Sequence, residues 1–167
     1  MNSTHTEGGV IKRPHAPRQD FVTGNMSVDL SAHDPALVVT GVVQHGDARG
    51  RLLGFPTANI DMNPGPRRDG VWSAVLVTAD DGLSRPAAVS IGRRSTFYGR
   101  EGRLVLEAHV LDAVGLDLYG REISVYLFHR IRPQRRFADV DDLVDRLAKD
   151  VDDVRAWAAS VSLTVAR

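Results

Sequence analysis

A mainly β domain that ends in one amphipathic helix is the fold class this sequence predicts. Three observations carry it. Short β-branched runs, broken by turn residues, begin at Leu37; apolar and polar residues alternate within them; and one late stretch repeats its apolar residues at helical spacing. Several short strands spaced in this way fit an antiparallel barrel or sandwich.

Taken in order, residues 1–35 are rich in Gly, Pro, Ser, Thr, Asn and His and show no apolar period, which predicts a flexible leader. The first strand is the β-branched run Leu37 to Val43. Further strands are predicted at Val71 to Thr78, Ala87 to Ile91, Leu104 to Leu111 and Ile123 to Ile131. Between them stand turn signals such as Asn63-Pro64-Gly65-Pro66 and Asp80-Asp81-Gly82. Asp139 is a good N-cap, and after it Val140, Leu143, Val144, Leu147, Val151, Val154 and Trp157 recur at helical spacing. Asp141, Asp142, Asp145, Asp152, Asp153, Arg146 and Arg155 read as that helix's solvated face. The folded domain is therefore expected at 36–160, with a short tail at 161–167.

Composition narrows the function classes. A chain of 167 residues has room for one core, and 43% hydrophobic with 25% charged residues is ordinary for a globular protein. The 21 basic residues balance 21 acidic ones, so no overall attraction to nucleic acid is expected. Without cysteine there is no disulfide, thiolate nucleophile or Cys-based metal site. No apolar run reaches membrane-spanning length, and the N-terminus does not read as a signal peptide, so a cytoplasmic monomer is the default expectation.

The densest constellation runs from Gly46 to Asn59. Glycines allow close backbone approach to an anion and arginines supply charge, which makes Gly46, Arg49, Gly50, Arg51 and Gly54 candidates for phosphate binding. A β-turn with exposed arginines explains the same composition. It is not a Walker A loop, because Gly-Lys-Ser/Thr is missing. After Pro56, Thr57 and Asn59 lie two residues apart, so on an extended segment both point to one side and offer the hard oxygens Mg²⁺ prefers. Local turn hydrogen bonds are the other use of such residues. In Leu104 to Asp112 the alternation puts Glu107 and His109 together, opposite Leu104, Leu106, Ala108 and Val110. Glu107 is a candidate general base or a solvated strand carboxylate; His109 is a hydrogen-bonded strand histidine or, with Glu107, part of a metal site.

In order, these elements are Arg49 to Asn59, Gly70-Val71-Trp72, Ser90-Ile91-Gly92, Glu107-Ala108-His109, Asp117-Leu118-Tyr119-Gly120, Arg132-Pro133 and Arg136-Phe137. The pattern resembles the riboflavin kinase family and the kinase half of bifunctional riboflavin kinase/FAD synthetases, over about 120 residues. What the resemblance implies is a six-stranded antiparallel Greek-key barrel with a C-terminal helix. It also implies transfer of the γ-phosphate of ATP to riboflavin, giving FMN. By the same resemblance Thr57 and Asn59 hold Mg²⁺, Glu107 is catalytic, and the Gly46 to Gly54 flap and Pro56 cover the ATP phosphates. Tyr119, Arg132 and Phe137 would lie near the flavin. No adenylyltransferase motif of the His-x-Gly-His kind is present, so the product is expected to stop at FMN. Three positions depart from the family pattern: Ala48 in place of a flap glycine, Ser95 in place of a proline, and Ala113 in place of an aromatic. They leave two alternatives open, a flavin- or nucleotide-binding regulatory module and a kinase for another hydroxylated acceptor.

Overall fold

The computed structural model describes residues 10–12, 20–23, 26–29, 33–62, 65–66, 68–80, 82, 84–94 and 102–162. Ser95 and the end of the tail, 163–167, lie outside them. Six long-range antiparallel strands form the body: β4 (Leu37–Val42), β5 (Ala58–Asp61), β6 (Gly70–Thr78), β7 (Ser84–Arg94), β8 (Arg103–Val110) and β9 (Glu122–Arg132). They are ordered β4-β9-β6-β7-β8-β5. An isolated bridge between Gln44 and Asn59 joins the end of β4 to β5, so the sheet comes back on itself as a nearly closed barrel. β6, β7 and β8 form a meander, while β5 crosses to the far side of β8 and β9 returns between β4 and β6, the Greek-key arrangement.

The barrel interior is filled by the alternating apolar residues. Leu104, Leu106 and Ala108 are at most 1% exposed, as are Val89, Ile91, Ile123 and Val125 on neighbouring strands. Six strands enclose too little space for a channel, so the core is packed side chain against side chain and a ligand site lies on the barrel's outer face or at its end. β6 is buried on both faces, which explains its unbroken apolar run: Trp72, Ala74 and Leu76 face the core, while Val75 and Val77 meet Tyr126, Trp157 and Val161 on the outside.

That outer contact belongs to α2 (Val140–Ser162). Asp139 caps it as expected, its Oδ1 accepting from the Asp142 amide at 2.8 Å. The helix carries one surprise. Asp150, on a helix whose acidic residues read as solvated, is 1% exposed and accepts from Arg132 of β9 at 2.7 to 3.1 Å and from Arg146 at 2.8 to 3.0 Å. Val161, assigned to the tail by composition, is also buried.

Three short strands fall inside residues 1–35: β1 (Val10–Lys12), β2 (Asp20–Thr23) and β3 (Met26–Asp29). β2 pairs with β3, and β1 pairs with the free edge of β4, Val10 opposite Thr40. Such pairings are made by main-chain groups along an edge and need no apolar period, so nothing in the composition announces them.

Candidate active site

Backbone register brings the separate sequence motifs together. Asn59 of β5 is paired with Glu107 of β8, and Glu107 in turn with Ser90 of β7. Because inward residues alternate with outward ones, Asn59, Glu107 and Ser90 all face outward across three adjacent strands.

Asn59 is 7% exposed and its carboxamide is fixed from both sides. Nδ2 donates to the Thr57 carbonyl at 3.3 Å, and Oδ1 accepts from Arg94 Nη2 at 3.0 Å. Gly46 packs over it so closely that a Cβ there would stand 2.6 Å from Nδ2. Arg94 is the centre of the cluster. It donates to Glu107 Oε1 through Nε at 2.9 Å and through Nη2, and pairs through Nη1 with Asp47 at 3.2 Å. One guanidinium thus joins the flap, the Asn and the Glu.

The flap is more structured than a bare loop. Residues Arg49–Leu52 form a single helical turn, α1, entered through Ala48 at φ 56° and ψ 11°. Gly50 makes the turn possible: a Cβ there would collide with the Phe55 carbonyl oxygen, and the Phe55 amide donates to the Gly50 carbonyl at 2.7 Å. Arg49 and Arg51 are exposed on this turn and carry no ion pair among the described residues. Behind the flap, the Asp117-Leu118-Tyr119-Gly120 turn is tied down. Asp117 Oδ1 accepts from the Tyr119 amide at 3.1 Å, the Gly120 amide donates to Val43 at 3.0 Å, and Tyr119 stacks on His45 with centroids 3.9 Å apart.

Two recesses are formed by these motifs, and Glu107 borders the wider one. A narrow one, of about 50 Å³, is lined by Arg51, Thr57, Ala113, Leu116 and Tyr119 among others. A wider cleft of about 330 Å³ is lined by Ser90, Gly92, Arg94, Glu107 and Gln134 among others. Gln134 is held there by bonds to Ser90 Oγ at 2.8 Å and to the Ile91 carbonyl at 2.9 Å.

The sequence-derived candidates therefore divide. Asn59 and Glu107 are register partners whose side chains share Arg94, and Thr57, Arg51 and Tyr119 share the narrow recess. Arg132 is engaged by the buried Asp150, and Phe137 lies beneath Arg135 at 4.7 Å and Arg132 at 5.7 Å. His109 takes the hydrogen-bonded alternative: Nδ1 donates to the Pro56 carbonyl at 2.9 Å and its ring meets Phe55 edge-on. Arg94, Asp47 and Gln134 were not singled out from sequence. The signal for Arg94 was there: it lies four residues after Ser90 on an alternating strand, on the same outward face as Glu107.

The oxygen donors suit a small hard cation. No group of three His, Cys, Asp or Glu side chains able to hold a metal exists among the described residues. Asn59 Oδ1 gives one lone pair to the Arg94 guanidinium and keeps the other, with Thr57 two residues away. A cation that completes its shell with phosphate oxygens and water needs no more from protein than such neutral oxygens.

Comparison with known proteins shows the family. The flavokinase family profile, described as riboflavin kinase, matches residues 34–158. The bifunctional riboflavin kinase/FMN adenylyltransferase of Escherichia coli strain K12 is 38% identical over 155 residues, which cover 90% of this chain and 48% of that protein. The protein of the same description from Pseudomonas fluorescens is 39% identical over 122 residues, 72% of this chain and 38% of its own. The chain thus spans about half the length, or less, of the curated relatives it matches. Among solved structures, a riboflavin kinase from Trypanosoma brucei superposes with a TM-score of 0.52 at 27% identity, covering 72% of this chain and 78% of that one. A macrolide-efflux protein from Streptococcus pneumoniae gives a TM-score of 0.63 at 35% identity, over 74% of this chain and 39% of that one.

Proposed function

This chain belongs to the riboflavin kinase (flavokinase) family, and from that membership we propose that it transfers the γ-phosphate of ATP to the 5′-hydroxyl of riboflavin, giving FMN and ADP. The observation that carries the reading is the placement of Asn59 and Glu107 on one outward face, joined through Arg94, with Glu107 at the border of a cleft.

Phosphoryl transfer needs positioning, neutralisation of phosphate charge and a group that orients the attacking hydroxyl. Glu107 lines the wider cleft, which is the place for the acceptor: its carboxylate takes the hydroxyl proton as the ribityl oxygen bonds to the γ-phosphorus and the bond to the β,γ-bridging oxygen breaks. Thr57 and Asn59 would hold Mg²⁺, whose contribution when bound is to offset charge on the phosphate oxygens. The donor nucleotide belongs on the flap side, where exposed Arg49 and Arg51 face the phosphates and Gly46, Gly50 and Gly54 let backbone approach them. Tyr119, proposed from the family pattern to lie near the flavin, shares the narrow recess with Arg51 and Thr57. Gln134 and Ser90 line the acceptor cleft, with Phe137 a few residues further along the same loop.

Chromatography of the purified chain with riboflavin, ATP and Mg²⁺ tests the reading, with FMN and ADP expected in equal amounts. Glu107→Gln should still quench flavin fluorescence on binding while losing at least about 100-fold in turnover; unchanged turnover removes Glu107 from the chemistry. One observation favours a second reading, a flavin-binding module with weakened catalysis: the left-handed Ala48 at the base of the flap. It predicts flavin binding without FMN.

A further inference from the structure

We infer that Arg94 is the positioning residue of the transfer step: it clamps Glu107 through one oxygen, leaving the other for the acceptor hydroxyl, and ties that clamp to the flap. The inference rests on the kinase reading above. Both bonds from Arg94 to Glu107, through Nε and Nη2, end on Oε1. Oε2 has no hydrogen-bond partner among the described residues, and Glu107 borders the wider cleft. A carboxylate whose one oxygen is held by a two-pronged fork cannot rotate freely, so its second oxygen is fixed in direction. That is the condition for accepting a proton along a defined line.

The remaining contacts give the fork a second task. Nη2 also reaches Asn59 Oδ1 and Nη1 reaches Asp47, which stands next to Ala48 at the entrance to the flap. A planar guanidinium can serve three acceptors in fixed directions at once. The ammonium of lysine, one compact charge on a flexible stem, cannot. The flap, the phosphate-side Asn59 and the base thus share one rigid connector, and displacement of the flap is felt at Glu107.

A double-mutant cycle with Arg94→Gln and Glu107→Gln decides it, read by FMN formation and, without metal or nucleotide, by quenching of flavin fluorescence. Arg94→Gln should lower kcat by about 10- to 100-fold, the loss expected for a reacting group misplaced by an ångström. Arg94 also lines the acceptor cleft, so flavin Kd is read beside kcat, and a rise in Kd smaller than the fall in kcat separates positioning from loss of binding. In the Glu107→Gln background the same change should cost at least about fivefold less than in the wild type, the remainder being what Arg94 does through Asn59 and Asp47. Arg94→Lys, which keeps the charge, should recover no more than about a tenth of the wild-type rate. Equal losses in both backgrounds, or near-normal turnover of Arg94→Lys, overturns the inference while leaving the kinase reading intact. A wild-type chain that makes no FMN at all overturns both.

Discussion

Ala48 holds φ 56° and ψ 11° at the entrance to α1, a left-handed geometry that costs a residue with a Cβ about 1 kcal/mol or somewhat more. The family pattern has glycine there, and the backbone supplies the reason. Ala48→Gly would relieve that strain but return about as much entropy to the unfolded chain, so global stability should hardly change, with Tm moving by less than about 2 °C. The effect should fall on the flap instead. Released from a strained hinge, it can follow the phosphates, and the KM for ATP should fall by up to about fivefold, the ratio that roughly 1 kcal/mol represents, with the KM for riboflavin unchanged. Steady-state kinetics beside a thermal melt check this; a shift of several degrees without a change in the KM for ATP would place the strain outside function. Asn59 shows the opposite economy, with Gly46, Thr57 and Arg94 together leaving its carboxamide a single orientation.

At the level of elements, what was legible in the sequence depended on how local its cause is. Alternation along β8 separated Glu107 from the core, because period acts over a few residues, whereas the four-residue β5 is too short to show a period and was not among the predicted strands. Arg94 and Asp150 escaped notice because their partners arrive by register and packing from other elements. Asp150 lies on the stripe with Leu147 and Val154, yet nothing in the helix itself says that Arg132, 18 residues earlier on β9, will meet it there. The three-way contact of Asp150 with Arg132 and Arg146 pins α2 to the barrel. Removing one member of a buried pair leaves the others uncompensated and costs about 3–5 kcal/mol. Asp150→Ala should therefore lower unfolding stability by that amount in urea. Arg132→Met with Asp150→Leu, which leaves only the part-exposed Arg146 with its second partner Asp153, should lose markedly less. If the double variant is as unstable as the single one, the pair holds the helix by geometry and not by charge balance.

Over the whole molecule, the division of labour follows from barrel size. The interior is packed solid, so one outer face carries the site at the seam where Gln44 meets Asn59, and another is covered by α2. This second face has a cluster of its own, Val75, Tyr126 and Val161 with Trp157 and Phe128 packed against it. Burial there raises the Tyr126 phenol above its ordinary pKa, because the charged phenolate loses hydration. In the unfolded chain a tyrosine ionises near pH 10. Between that pH and the higher folded value, the folded chain keeps a proton that the unfolded chain has released. Stability is therefore fully present below about pH 10 and falls as the pH rises through the folded pKa. Melting curves from pH 8 to pH 11.5 should steepen past about pH 10 in the wild type and less so in Tyr126→Phe, while both share any loss from other groups. Parallel curves throughout would mean that the phenolate finds water without the helix letting go, and that α2 is fastened at Asp150 rather than at this cluster.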